Sequence, residues 1–109
     1  MAKYVLLYSG GRMGATEAEQ KQQMQQWGAW FGKLGKAVAD AGNPFSGKVK
    51  SVDGGGKVKD GAAGAGAASG YSIVEADSID EAAELARGNP VLATGGIITV
   101  YETFNAAGM

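Results

Sequence analysis

The chain has 109 residues, of which 45% are hydrophobic and 19% are charged, and these values are typical of one soluble globular domain. Its formal net charge of -1 provides no overall field that would attract nucleic acid or an anionic membrane. Histidine and cysteine are both missing, which excludes disulfides, an ordinary zinc site and a serine–histidine triad. We therefore expect no metal ion and no cofactor.

The first predicted element is a buried strand at residues 3–8. Its apolar side chains follow one another without alternation, which indicates burial on both faces of a sheet. Gly10 and Gly11 are expected to end it. The apolar run is too short for a signal sequence or a membrane span, so we expect a cytoplasmic protein.

A long helix is predicted next, beginning at Thr16. Thr16 and Glu19 have the spacing of a capping box, in which each side chain binds a backbone N–H of the first turn. Gly42 and Pro44 are expected to end this helix. Its apolar stripe, at steps of three and four, consists of Met24, Trp27, Phe31, Leu34 and Val38.

Glycines form a second stripe on the same predicted helix. Gly28, Gly32 and Gly35 recur at steps of four and three, and Ala39 continues the series. Each glycine in a helix interior costs about 1 kcal/mol relative to alanine, so three of them need a cause. We favour close packing against another backbone, from the second helix or a partner subunit, over space for a ligand between helix and sheet.

A small lysine-rich ribbon is predicted in the middle of the chain. Phe45, Gly47 and Val49 alternate with polar residues, and residues 53–56 form a turn back into residues 57–59. A nucleic-acid surface would need interleaved aromatic residues or a net basic domain. The lysines are therefore interpreted as solvated charges that protect a sheet edge.

The glycine–alanine run at residues 61–68 is not predicted to bind phosphate. A strand follows it where a helix N-terminus would be required, and no Gly-Lys-Ser/Thr is present. Gly11 and Gly14 do lie between a strand and a helix, but the acidic first turn of that helix would repel an anion.

The last third of the chain predicts strand, helix and strand. Residues 69–77 form the first strand, and a second capping box of Ser78 and Glu81 begins a helix that passes through Ala86. Gly88 and Pro90 end this helix. Residues 96–104 form the last strand, and residues 105–109 are expected to be a frayed tail.

The predicted fold class is α+β, in the ferredoxin-like order β-α-β-β-α-β with the ribbon added. This order gives an antiparallel sheet with two helices on one face. The first and last strands are nevertheless apolar on both faces, so the second face needs a cover. We predict a homodimer packed sheet to sheet.

Several aromatic and polar side chains are candidates for a ligand site. Trp27 and Trp30 are predicted to be core residues or pocket walls. In the absence of histidine a general base would have to be a carboxylate such as Asp60 or Glu75, and Asp60 is the preferred catalytic candidate. The polar or aromatic candidates near strand ends or on the sheet are Tyr8, Arg12, Ser72 and Glu75.

Four segments together resemble the YCII-related (DGPF-domain) family of the dimeric α/β-barrel superfamily. They are KYVLLYSG, KVKDG, GYSIVEADSIDEAAELARGNP and GGIITVYE, and with the residues between them they span nearly the whole chain. The resemblance implies a single ferredoxin-like domain over residues 1–109 that forms a dimer. In the family's Asp-Gly-Pro-Phe signature, Asp60 and Gly61 occupy the first two places, and Ala62 and Ala63 replace proline and phenylalanine.

Two functions remain open at the level of sequence. Related barrels bind or transform small organic molecules, and some family members are proposed to use a histidine–aspartate pair, of which this chain can supply only Asp60. One function is therefore binding, with or without transformation, of a small organic molecule in a cleft between the first helix and the sheet. The other is a non-enzymatic dimeric regulatory or interaction module. Whether the protein is an enzyme is left open.

Overall fold

The chain folds as an α+β protein, and a computed structural model describes residues 2–62 and 68–105. The strands are β1 (Ala2–Ser9), β2 (Val38–Asp40), β3 (Lys50–Val52), β4 (Val58–Asp60), β5 (Ala68–Ala76) and β6 (Ile97–Glu102). The helices are α1 (Glu17–Leu34) and α2 (Ile79–Ala86), and 3-10 helices span Gly35–Ala37 and Pro90–Thr94. Most of the glycine–alanine run, at 63–67, and residues 106–109 of the predicted tail lie outside the described residues.

Four strands form one antiparallel sheet in the order β2-β5-β1-β6. The long strands β1 and β5 occupy its centre. The unbroken apolar run of β1 predicts this position, whereas β5 contains the polar residues Ser69, Ser72 and Glu75. Residues that are directly opposed on neighbouring strands have their side chains on the same face of the sheet. Val5 of β1 is opposed to Ile73 of β5 on one side and to Tyr101 of β6 on the other. Along β1, even-numbered and odd-numbered side chains therefore lie on opposite faces of the sheet, one of which faces the helices.

Even-numbered residues of β1 and β5 face the helices and form the core. Leu6 and Val74 have no exposed surface at the centre of this core. Complete burial of one such side chain contributes about 1.5–3 kcal/mol to stability. The buried hydrophobic cluster comprises Tyr4, Leu6, Tyr8, Trp30, Val74, Ala76, Ala82, Ala86 and Val91.

Both capping boxes begin helices where the sequence predicts. The Thr16 hydroxyl accepts a hydrogen bond from the Glu19 N–H at 3.1 Å, and the Ser78 hydroxyl accepts one from the Glu81 N–H at 3.1 Å. The Glu19 carboxylate also accepts from the Ala15 N–H at 2.8 Å. These bonds satisfy backbone donors that a first helical turn leaves without partners.

The predicted end of α1 is wrong. The helix ends at Leu34, and Gly35 follows it with a φ of +55°, a value that favours glycine. A 3-10 turn then leads into β2, where Val38 pairs with Val74 of β5 instead of continuing the helical stripe. Hydrogen bonding to the sheet outweighs the helical periodicity at this point.

The start of the apolar stripe is also wrong, because Met24 is 75% exposed. The half-buried residue of this turn is Gln23. Its side-chain amide accepts from the Gly14 N–H at 2.8 Å and donates to the Arg12 carbonyl at 2.9 Å. The loop before α1 is thus held by the polar side chain of Gln23, whereas the sequence predicts that the apolar side chain of Met24 is the inward-facing one in this turn.

The β3–β4 ribbon is a separate two-stranded sheet. Its predicted turn is confirmed, because the Asp53 carboxylate accepts hydrogen bonds from the Gly55 and Lys57 N–H groups at 3.0 and 2.9 Å. The alternating stretch 45–49 is not a strand, although it was predicted to be one. The neighbour of β5 at the sheet edge is β2, which the sequence assigned to the helix.

The glycine stripe has no packing partner among the described residues of the protomer. A Cβ atom added at Gly28 or Gly32 would meet no atom within 4 Å, and both residues are exposed. The expected close approach of the second helix is therefore wrong. In the part of the chain that the structure describes, no helix combines the length and apolar character needed to cross a membrane.

We expect Gly32→Ala to stabilise the protein by about 0.5–1 kcal/mol, because alanine favours the helix and the added methyl group meets open space. Urea denaturation followed by tryptophan fluorescence measures the change. Gly42→Ala is the matched control. Gly42 has a φ of +74° and its Cβ would collide with the Tyr71 carbonyl, so this variant should lose about 2 kcal/mol or more. A loss of stability in Gly32→Ala would contradict the expectation and indicate a contact from a second copy.

Candidate functional site

A chain of hydrogen bonds runs through the space between the sheet and the helices. The Asn89 side-chain N–H donates to the Tyr8 hydroxyl at 3.2 Å, and this hydroxyl donates to the Ser72 hydroxyl at 2.7 Å. Ser72 in turn donates to the Ala41 carbonyl at 2.7 Å. Asn89, Tyr8 and Ser72 are all buried, so their polar groups depend on one another for satisfaction.

Local structure positions each member of this chain. Tyr8 and Ser72 lie on the helix-facing sides of β1 and β5. Asn89 precedes Pro90, and its side-chain oxygen accepts from the Val91 N–H at 2.8 Å, which caps the second 3-10 helix. The sequence prediction missed Asn89, although an asparagine directly before a proline at a helix end is a typical capping signal.

Aromatic rings fill the rest of this space. The Tyr8 and Trp27 ring centroids are 5.3 Å apart at an interplanar angle of 77°, and those of Trp27 and Trp30 are 6.0 Å apart at 87°. The Trp30 indole N–H donates to the Leu85 carbonyl at 3.0 Å. The structure thus brings together Tyr8, Trp27, Trp30 and Ser72, four of the predicted site residues, as parts of a packed interior.

The other three predicted site residues lie elsewhere. Arg12 is exposed in the loop before α1, where its backbone N–H donates to the Thr94 hydroxyl at 3.1 Å. Asp60 lies on the ribbon, its side chain is 90% exposed, and it forms an ion pair with Lys50 at 2.7 Å. Glu75 is half-buried on the sheet face that points away from the helices.

Burial determines the electrostatics of the interior. Burial raises the pKa of the Tyr8 hydroxyl, while its hydrogen bonds with Ser72 and Asn89 act in the opposite direction. Burial also raises the pKa of Tyr4, and the nearby carboxylate of Glu102 adds to that effect. Both phenols therefore remain neutral at physiological pH. Within residues 2–62 and 68–105, no group of three acidic, histidine or cysteine side chains could hold a metal ion.

The sheet face that points away from the helices is apolar, and no helix within residues 2–62 and 68–105 covers it. We call it the open face. Ile97 and Tyr101 on it are 66% and 52% exposed, and Phe45 extends it by stacking on Tyr71 with a centroid distance of 5.9 Å. By strand register, its residues on the three long strands are Val5, Leu7, Tyr71, Ile73, Ile97, Thr99 and Tyr101, with Lys3 opposite Glu75 at one end.

Two open grooves lie on the surface outside the packed interior. One has a volume of about 780 Å³ at the base of the ribbon and is lined by Lys48, Lys50, Asp60 and the backbone around them. The other, of about 530 Å³, lies between α1 and the connection from α2 to β6. The exposed side chains that line this second groove include Gln26, Lys33, Arg87 and Leu92, and the buried Trp30 lies beneath it.

No protein-family model, curated protein or solved structure that was compared with this chain matches it.

We expect Tyr8→Phe to lose about 1–3 kcal/mol of stability at pH 7, because a buried donor on Asn89 and an acceptor on Ser72 would lose their partner. The difference in stability between the wild type and Tyr8→Phe should become smaller above pH 10. A phenol whose pKa is raised by folding ionises first in the unfolded state, so the wild type loses stability there and the variant does not. Urea denaturation between pH 7 and 11 measures both effects. Tyr4 is present in both proteins, so their difference isolates Tyr8. A constant difference would contradict the role of Tyr8.

Proposed function

We propose that this chain is a cytoplasmic, non-enzymatic interaction module that works as a homodimer, with two ferredoxin-like protomers packed sheet to sheet in a dimeric α/β barrel. The observation that carries the proposal is the open face. Its central residues are Val5, Leu7 and Ile73, and no helix of the described chain covers them. An apolar surface of this extent on a small protein is an association surface.

The order of the sheet strands supports the ferredoxin-like assignment. In the unit β1-α1-β2 the two strands are separated by β5, and in the unit β5-α2-β6 they are separated by β1. Two interleaved units of this kind are the split βαβ arrangement. Both α-helices then lie on one face, which leaves the other face available to a second copy.

The accessible surface supports association. The chain exposes 7682 Å², whereas a folded monomer of its 11.0 kDa mass is expected to expose about 5600 Å². A specific interface of ordinary size buries about 800 Å² on each partner. The excess surface of the protomer is therefore large enough to supply an interface with a second copy.

A non-enzymatic role is favoured because the interior formed by the described residues offers no reactive group. The buried polar side chains, Ser72 and Asn89, are both hydrogen-bonded, and Tyr8 is bonded to each of them. Asp60 is exposed and paired with Lys50 on the ribbon, which is a different sheet from the one that carries Tyr8. The resemblance to the YCII-related family stays a prediction. It agrees with this proposal, since the histidine of the family's histidine–aspartate pair has no counterpart here.

A second candidate function is the binding of a small organic molecule, and the groove beside α1 favours it. Lys33 and Arg87 bring two positive charges to this groove, and Leu92, which is 41% exposed, supplies apolar surface. Arg87 bonds Glu84 at 3.1 Å, whereas Lys33 forms no ion pair within the described residues. A few charged groups beside an apolar wall suit a small carboxylate with an apolar body.

We expect the wild-type protein to sediment as a dimer and Ile73→Asp to sediment as a monomer, because a charge on the open face would have to be buried in the interface. Sedimentation velocity at micromolar concentration measures this. Ile97→Asp, at an exposed position of the same face, is a milder variant that should weaken the dimer without disturbing the protomer. Near-ultraviolet circular dichroism of the tryptophans, which lie on the helix side, checks the fold.

The matched control is Met24→Asp, which places the same charge at an exposed apolar position on α1, away from the open face. It should leave the dimer intact. A wild-type monomer would refute the proposed function, and equal weakening by Met24→Asp would refute the assignment to the open face.

For the second candidate function, we expect a thermal-shift screen with small aromatic and aliphatic carboxylates to give saturable stabilisation, because a ligand that binds only the native state raises its melting temperature. Lys33→Ala and Arg87→Ala should each weaken this stabilisation, since each removes one positive charge from the groove. Lys21→Ala, which removes an α1 lysine that does not line the groove, is the control. If the groove variants respond like the wild type, the groove is not the site.

A further inference from the structure

The β3–β4 ribbon, together with its flanking residues 46–61, exposes an apolar pair. Val52 and Val58 are directly opposed in the ribbon, so their side chains share one face, and they are 67% and 57% exposed. Lys50 and Asp60 form their ion pair on the same face. Two-stranded hairpins of three-residue strands are marginally stable in water without a surface to pack on.

The hydrogen bonds of residues 46–61 do not hold the ribbon against the body of the protomer. Among the described residues they join residues 46–61 to one another. Ser51 donates to the Gly61 carbonyl at 2.6 Å, and the Gly61 N–H donates to the Val49 carbonyl at 2.8 Å. The ribbon is thus well ordered internally, while its valine face remains open.

The base of the ribbon is attached at the open face. The Phe45 N–H donates to the Ser69 carbonyl at 2.8 Å, and Pro44 forms a bridge with Gly70 of β5. The Phe45 ring stacks on Tyr71, which belongs to the open face. The ribbon therefore leaves the body at the margin of the surface on which we place the second copy.

The dimensions of the protomer agree with a projecting arm. Its radius of gyration is 15.5 Å, compared with about 13 Å expected for a compact domain of this length, and its extents are 46 × 36 × 18 Å. The chain is therefore more extended than a domain that packs only on itself.

Charge indicates what the ribbon would contact. Residues 46–61 contain four lysines and two aspartates, a net charge of +2, and because the whole chain has -1, the remaining residues carry -3. The ribbon and the body of the same chain are thus oppositely charged. A second copy therefore brings to the ribbon a body whose net charge has the opposite sign.

We propose that the β3–β4 ribbon is an arm that packs its Val52–Val58 face onto the body of the partner subunit in the dimer. This inference rests on the proposed sheet-to-sheet dimer and extends it, because it assigns the interface a second, reciprocal contact in addition to the open face. In a two-fold dimer each arm would contact the other protomer, so the contact occurs twice.

Thiol labelling tests the arm, since the chain has no cysteine and each variant introduces a single thiol. Val52→Cys and Val58→Cys place it on the valine face, and Lys59→Cys, opposite Ser51, is the control on the other face of the ribbon. The labelling rate of each variant with a maleimide is divided by the rate of the same variant unfolded in urea, which corrects for the intrinsic reactivity of its thiol. We expect the valine-face thiols to react about tenfold more slowly than the control in the dimer, and equally fast in the Ile73→Asp background.

Sedimentation of the same samples separates failure of the arm from failure of the dimer. If the protein is dimeric and the valine-face thiols react as fast as Lys59→Cys, the arm inference is overturned and the dimer stands. Protection that persists in Ile73→Asp monomers would mean that the arm packs on its own protomer, which also overturns it. A wild-type monomer refutes the dimer itself.

A charge on the valine face provides a second measurement. We expect Val52→Asp to raise the dimer dissociation constant about tenfold, with circular dichroism unchanged, because the arm would lose its apolar contact. Lys59→Gln, on the opposite face of the ribbon, changes the net charge by the same amount, so it is the matched control and should leave the constant unchanged. Equal constants for wild type and Val52→Asp would overturn the proposal.

Discussion

The buried hydrogen-bond chain of Asn89, Tyr8, Ser72 and Ala41 holds the architecture together. Ala41 follows β2, Ser72 lies on β5, Tyr8 on β1, and Asn89 caps the 3-10 helix that leads to β6. The bonds therefore run across the sheet in the order of its strands. Each contributes about 1 kcal/mol, but a buried group left without its partner costs more, so the network also selects this arrangement over its competitors.

This network also determines where function can lie. Tyr8, Ser72 and the two tryptophans had been predicted as ligand contacts, and the structure brings them together with their polar atoms bonded and their rings in contact. A residue committed to the interior has little capacity left for a ligand. The groups that could meet another molecule therefore lie on the open face, in the groove beside α1 and on the β3–β4 ribbon.

The candidate site could be predicted only in part, because sequence gives the type of a side chain more readily than its neighbours. The aromatic cluster was predictable, since Trp27 and Trp30 are one helical turn apart and Tyr8 belongs to an apolar strand. Glu75 and Ser72 both lie on β5, yet the odd and even positions of this strand face opposite sides. Asp60 was grouped with them by residue type, whereas its strand belongs to a different sheet.

The sequence by itself determined the features that depend on local chemistry. The starts of α1 and α2 follow from hydroxyl and carboxylate groups three residues apart, and the turn at Asp53 follows from its carboxylate and the glycines after it. The end of α1 and the existence of β2 were decided only in the tertiary structure, whereas the apolar second face of the sheet was already indicated by strands that are apolar on both faces. Val38 fits a helical stripe, but β5 offers it a hydrogen-bonding partner more than 30 residues away in the chain. Such pairing depends on the formation of the whole sheet, so the local sequence pattern around Val38 does not predict it.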